Sequence, residues 1–169
     1  KKEDPAVVAR YTLPEAGNRT LGTNEGAGST RKFLLARRLV EAGVRCVSLS
    51  ISDFDTHASN YPRMRHTLPI VDHGLHALVT DLDERGMLDS TLVVMATEFG
   101  RKPDYNGNGR GHYPICFSSV LAGGGIKRGF VYGGSDERGA QPDKPVTFGD
   151  FHATIGRAAG LALEKPAHS

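Results

Sequence analysis

The apolar residues of this chain fall into blocks whose period changes from helical to strand-like and back. The run Arg31-Lys32-Phe33-Leu34-Leu35-Ala36-Arg37-Arg38-Leu39-Val40-Glu41-Ala42 consists of good helix formers, with Ser29 or Thr30 available as N-cap and Gly43 as stop. Residues 44–51 are rich in β-branched and apolar side chains, with Ser48 and Ser50 among them, and predict a buried strand. After a loop through Asn60-Tyr61-Pro62, apolar positions Leu68, Val71, Leu75, Leu78 and Leu82 recur at spacings of three and four. This is the stripe of an amphipathic helix, with Pro69 in its first turn and Gly86 at its end. Asp89-Ser90 then turns into Thr91-Leu92-Val93-Val94-Met95-Ala96, a continuous apolar run of the kind found in strands covered on both faces.

Strand, helix and strand in this order make a βαβ unit. Its right-handed crossover predicts parallel strands whose following loops, after Ile51 and after Thr97, emerge side by side. Open α/β sheets bind their ligands at such an edge. Residues 115–121 predict a third strand, residues 129–133 a hairpin arm or edge strand, and residues 134–147 a surface loop. Asp150 is read as the cap of a last helix over 151–159 that ends at Gly160. Residues 1–28 read as a polar connecting segment, mobile in part, residues 29–163 as one α/β domain, and residues 164–169 as a tail.

Composition narrows the classes of function. A chain of 169 residues with 38% hydrophobic and 24% charged side chains suits one globular domain rather than disorder. A net charge of +2 with scattered Lys and Arg gives no nucleic-acid footprint. No apolar run approaches the ~20 residues of a membrane span, and no signal-peptide pattern opens the chain. The first residue is Lys1 rather than Met, so the N-terminus is read as a cut edge of something longer. Cys46 and Cys116 lie in predicted strands and are expected as buried thiols.

The candidate chemistry sits in the loops after the strands. Asp55 and His57, two positions apart in extended chain, point to one side and suit a pair of ligands on zinc, manganese or iron; the alternative is a loop turn in which Asp55 caps backbone amides. Asp53 is a further ligand or a second turn-former. Glu98 follows an apolar run, where a carboxylate is expensive unless paired or bound to a cation; it is a metal ligand or general base, or else one half of an ion pair with Arg101. Arg101 or Arg110 can fork onto an anionic group. Residues 105–114 form a glycine-rich loop whose backbone can approach a ligand closely, without the Walker lysine or the strand-to-helix setting of a nucleotide fingerprint. His112, at the end of that loop, is an additional ligand, an acid/base group or an exposed histidine. His66, His73, His76, His152 and His168 are read as solvated. No nucleophile elbow is present, and neither cysteine has an electropositive setting, which argues against a serine or cysteine hydrolase.

Six spaced motifs carry a resemblance: Leu-Leu-Ala-Arg-Arg-Leu-Val-Glu-Ala-Gly-Val-Arg at 34–45, Phe-Asp-Thr-His at 54–57, Leu-Asp-Ser-Thr-Leu-Val-Val-Met at 88–95, Glu-Phe-Gly-Arg at 98–101, Gly-Arg-Gly-His-Tyr-Pro at 109–114 and Leu-Ala-Gly-Gly-Gly-Ile-Lys at 121–127. In this order they resemble the bacterial family catalogued as domain of unknown function 1501, over about residues 29–161. The resemblance implies an alkaline-phosphatase-like, or sulfatase-like, α/β fold with a mostly parallel sheet flanked by helices, of which this chain would be the C-terminal portion. The missing N-terminal half would supply the nucleophile. It implies a metal-dependent hydrolase of phosphate or sulfate esters, periplasmic or secreted, with zinc or manganese as cofactor and a small anionic ester as substrate. Asp55 and His57 would be the first metal ligands, Glu98 would stand in the strand-end motif, and His112 in the late histidine motif. Two departures are visible: Phe99 occupies the place of the superfamily's second ligand, and Gly111 stands where this family commonly has Asp. They leave a non-catalytic binding or assembly module as the alternative.

Overall fold

Capping signals place the first helices. In the computed structural model, which describes residues 2–14 and 23–163, the chain divides into two compact units, Lys1–Glu84 with Tyr105–Gly111 and Arg85–Asp104 with His112–Ser169. The segment read as connecting chain opens with helix α1 (Pro5–Arg10): Asp4 caps it by accepting from the Ala6 amide at 2.8 Å, and Pro5 takes the first helical position, where its missing N–H costs nothing. Residues 15–22, in the expected mobile stretch, and the tail lie outside the described residues.

A 3₁₀ turn (Ala27–Thr30) leads into α2 (Arg31–Glu41). The amides of Gly43 and Val44 return to the carbonyls of Val40 and Leu39, closing a Schellman turn that requires the positive φ of +94° at Gly43. Thr30 does not cap α2 through its side chain; its hydroxyl lies 2.6 Å from the Tyr11 carbonyl and 2.8 Å from that of Ala27.

Helix α3 (Asn60–Glu84) begins eight residues before the first expected apolar position, Leu68, because Asn60-Tyr61-Pro62 is its first turn rather than a loop, while Pro69 sits inside it. Its buried line is Thr67, Ile70, Gly74, Ala77, Leu78, Asp81 and Leu82, so of the expected stripe Leu78 and Leu82 face the core and Leu68 is exposed. Gly74 lets α2 approach: a Cβ there would run into the Phe33 ring. Phe33, Leu34, Ala36, Ile70, Ala77, Leu78, Leu82 and the fully buried Tyr11 make this unit's core.

Through that core runs a charge network. The Arg37 side chain, fully buried, donates from Nε to Asp81 at 2.8 Å and reaches Glu3 at 2.6 Å and Glu41 at 2.5 Å. The Tyr11 hydroxyl donates to Asp81 at 3.0 Å. Burial and the Asp81 charge push that hydroxyl well above the ordinary tyrosine range.

Residues 44–51 carry no strand ladder. Strand propensity needs a partner, and the polar groups at this segment's end go to side chains instead: Lys32 Nζ donates to the Ser50 carbonyl at 3.0 Å, and the Ser52 amide donates to Glu25 at 2.8 Å. Val44 and Leu49 are exposed.

In the second unit, β1 (Leu92–Met95) pairs antiparallel with β4 (Val120–Gly123), and β2 (Gly100–Arg101) pairs antiparallel with β3 (His112–Tyr113). The ladders among the described residues are thus antiparallel, and the expected parallel crossover has no described ladder beneath it. The expected third strand is shortened and shifted to β4, whose Gly123 packs under Leu88 with no room for a side chain. Residues 129–133 form no strand. Helix α4 (Phe148–Ala158) starts three residues earlier than expected because Thr147, not Asp150, caps it: the Thr147 hydroxyl oxygen accepts from the Asp150 amide at 3.1 Å. No helix of the described residues is long and apolar enough to cross a membrane.

Candidate functional site

The loop that carries Asp55 and His57 is anchored by two carboxylates, Asp53 and Glu25, each accepting hydrogen bonds from the other's segment. Asp53 has a φ of +70°, a left-handed conformation that Asp tolerates, and its carboxylate accepts from the amides of Asn24 at 2.6 Å and Glu25 at 2.9 Å. Asp53 is therefore a turn-former with its oxygens engaged. Glu25, buried, accepts in return from the Ser52 amide at 2.8 Å, the Ser52 hydroxyl at 3.0 Å and Lys32 at 3.0 Å. Burial alone would raise the Glu25 carboxyl; hydrogen bonds from Ser29, Ser52 and Lys32 outweigh it and hold the group down at about 2. From the sequence Glu25 belongs to the connecting segment, and its partner Ser52, 27 residues on, leaves no local signal.

Between these anchors and α3, side chains alternate as in extended chain. Thr56 is buried, its hydroxyl donating to Asn60 Oδ1 at 3.1 Å, whereas Asp55 and His57 point outward and are exposed. Asp55 Oδ1 and His57 Nε2 lie 3.0 Å apart. The glycine-rich loop backs this pair from the protein side. The Arg110 amide donates to the Thr56 carbonyl at 3.0 Å, the Asn60 amide to the Asn108 carbonyl at 3.0 Å, and Gly109 is buried so closely against His57 that a Cβ would strike the His57 carbonyl. The close approach expected toward a ligand at Gly109 is made to the chain's own backbone.

Beside the pair lies a groove of about 330 Å³ lined by Ser59, Tyr61, Pro62, Tyr105, Gly107 and Asn108. The rings of Tyr61 and Tyr105 are 5.3 Å apart and tilted by 34°, and the Arg110 guanidinium sits over the Tyr105 ring at 4.5 Å. Desolvation and the Tyr61 hydroxyl raise the Tyr105 phenol, and Arg110 pulls against them. Neither tyrosine was singled out from the sequence, where Tyr61 looked like loop punctuation before Pro62.

The second unit holds the other candidates. Arg101 and His112 are Cα partners in the β2–β3 ladder, so both project from one face of that pair. The Phe99 ring packs on the His112 imidazole with centroids 4.3 Å apart. Gly100 lies tight against this turn, since a Cβ would come within 2.6 Å of the Cys116 carbonyl. Glu98 is exposed, so the expected desolvation penalty on it does not operate; β1 is itself only half-buried, and the apolar run ends before the glutamate.

The structure thus gathers Asp55, His57 and Arg110 in the first unit and Glu98, Arg101 and His112 in the second. Of the other residues, Cys46 is exposed and Cys116 half-buried, correcting the expectation of two buried thiols. His66 is held at 2.9 Å from the Glu25 carbonyl rather than solvated, and the Nε2 of the half-buried His73 is enclosed.

A family model described as Protein of unknown function (DUF1501) matches residues 2–168 of this chain. Comparisons with curated proteins and with solved structures returned no match.

Proposed function

The chain belongs to the DUF1501 family, and from that membership together with the loop chemistry we propose a metal-dependent hydrolysis of phosphate or sulfate esters on a sulfatase-like scaffold. The observation that carries the reading is the exposed Asp55–His57 pair, with donor atoms 3.0 Å apart. Two ligands each about 2.1 Å from a tetrahedral zinc ion stand about 3.4 Å apart, so the pair, now at hydrogen-bonding distance, would open by only a few tenths of an ångström to hold one. A carboxylate with a neutral imidazole suits zinc or manganese, so the donor set fits the group.

In this reading Asp55, His57 and His112 would hold the ion, with Glu98 as a further ligand or general base. When bound, the metal would polarise the ester oxygen and neutralise developing charge. The chain's own groups do the rest. Glu98, exposed to solvent, takes the proton of an attacking water as its oxygen bonds the phosphorus or sulfur, and the ester's alkoxide leaves and is protonated from solvent. Arg101 or Arg110 forks onto the anionic oxygens and orients the ester. His112 and Arg101, in register on their ladder, would present ligand and anion clamp together.

A second reading is favoured by one contact. The Phe99 ring covers the His112 imidazole where a superfamily enzyme carries another ligand, which suits a member that keeps the scaffold as a binding or assembly module.

Turnover of phosphate and sulfate monoesters and diesters with zinc or manganese separates the two. The hydrolase reading expects turnover that falls at least about 100-fold in both Glu98→Ala and His112→Ala. Undiminished turnover in both variants would remove this site, and no turnover of any ester would leave the module.

A further inference from the structure

The groove beside Asp55 and His57 has a chemistry of its own. Its walls are two tyrosine rings, Pro62 and the glycine backbone at 107, with Ser59 and Asn108 as the other polar residues. The Asn108 carbonyl is already used by the Asn60 amide. The exposed lining is mainly apolar, so a sugar would leave much of its hydroxyl-rich surface against carbon, and an alkyl chain would gain buried area but no ring contact. An aromatic ring gains both, because it meets the exposed Tyr61 ring in offset or edge-to-face geometry. At about 330 Å³ the groove has room for one small ring system. Arg110, over Tyr105 at 4.5 Å, puts a permanent positive charge at the same place, and a planar guanidinium matches the oxygens of a sulfate or phosphate.

We infer that the Tyr61–Tyr105 groove is the subsite for the ring of an anionic aryl ester, with Arg110 beside it to hold the charged group. The word ester rests on the hydrolase reading; the ring and charge recognition does not. Tyr61 supplies the accessible aromatic face, being 59% exposed, while Tyr105 contacts both Tyr61 and Arg110 and ties ring and charge to one place. The loop is fixed for this by the bonds at Asn60 and Arg110 and by the fit of Gly109 against His57, so the subsite stays in step with the Asp55–His57 pair.

The test uses naphthalene-2-sulfonate, which has no ester bond to cleave, against methanesulfonate, with binding followed by amide chemical shifts. The expected result is roughly tenfold tighter binding of the naphthyl compound, with shifts centred on Tyr61, Tyr105 and Asn108. Tyr61→Ala should erase that preference, Tyr61→Phe should keep it, and Arg110→Gln should weaken both sulfonates. Equal binding of the two compounds, or shifts elsewhere, overturns the subsite whatever the turnover. Naphthyl binding at these residues in a chain that cleaves no ester supports the subsite and counts against the hydrolase reading alone.

Discussion

Arg37 and Asp81, 44 residues apart, meet at 2.8 Å inside the first unit with both side chains almost wholly removed from solvent. Burial works against the Arg37 charge, and Glu3, Asp81 and Glu41 together outweigh it. Removing Asp81 leaves two buried donors, Arg37 Nε and the Tyr11 hydroxyl, without their acceptor, while Glu3 and Glu41 still offset the guanidinium charge. Asp81→Ala is therefore expected to cost about 3–5 kcal/mol, read as a lower urea midpoint with an unchanged slope. Glu41→Ala, which deletes a half-exposed partner of the same guanidinium, should cost less than about 1 kcal/mol. Equal losses in the two variants would show that Asp81 is not the anchor.

That network marks the limit of what the sequence discloses. Helix α2 was legible because its formers and its Gly43 stop are adjacent in the chain. The start of α3 was not, since Pro62 serves as well in a first helical turn as in a loop. Residues 44–51 have strand composition, but a strand exists only with a partner, and composition does not name one. For the site, the Asp55–His57 pair follows from their spacing of two, and the register of Arg101 with His112 could not be read because nothing local announces a ladder of two residues. Tyr11 with Asp81, and Glu25 with Ser52, depend on contacts across 70 and 27 residues and leave no periodic trace.

Glu25 gives the fold an acid limb. Its carboxyl lies at about 2 instead of its ordinary 4.5, so the folded state holds the ionised form more tightly than the unfolded chain does. The stability this supplies is complete above about pH 4.5 and is lost as pH falls through the folded value near 2. Acid titration of the melting temperature should therefore show a decline between about pH 5 and 2 that is flatter in Glu25→Gln, whose stability at pH 7 should already be lower. A Glu25→Gln profile parallel to the parent would assign the acid limb to other carboxylates.

Two glycines of one loop separate backbone conformation from close approach. Gly107, at a φ of +65° with open space around it, should tolerate Asn and lose roughly 1 kcal/mol with Ala. Gly109 has no such latitude, because any side chain meets the His57 backbone; Gly109→Ala is expected to cost at least about 1–3 kcal/mol and to loosen the loop around Asp55 and His57. Amide exchange at Arg110 and Asn60, whose hydrogen bonds close the loop, is the direct readout. Protection unchanged in Gly109→Ala would mean the loop can shift without releasing them.

The Asp55–His57 pair is exposed, and this makes the metal reading separable from folding. Truncating either side chain removes no core contact, so the metal-free melting temperature of His57→Ala should match the parent within error. A bound ion adds stability as the logarithm of its concentration over its dissociation constant. Zinc at about 100 times that constant would contribute about 2.7 kcal/mol, or roughly 5–10 °C in a chain of this size. Asp55→Ala, His57→Ala and His112→Ala should each lose most of the shift, whereas His76→Ala, an exposed histidine on α3, should keep it. If His76→Ala loses as much as His57→Ala, zinc is binding surface imidazoles at large. If His112→Ala keeps the shift while Asp55→Ala and His57→Ala lose it, the ion rests on the Asp55–His57 loop alone, and His112 takes instead the acid/base role that its place opposite Arg101 also suits.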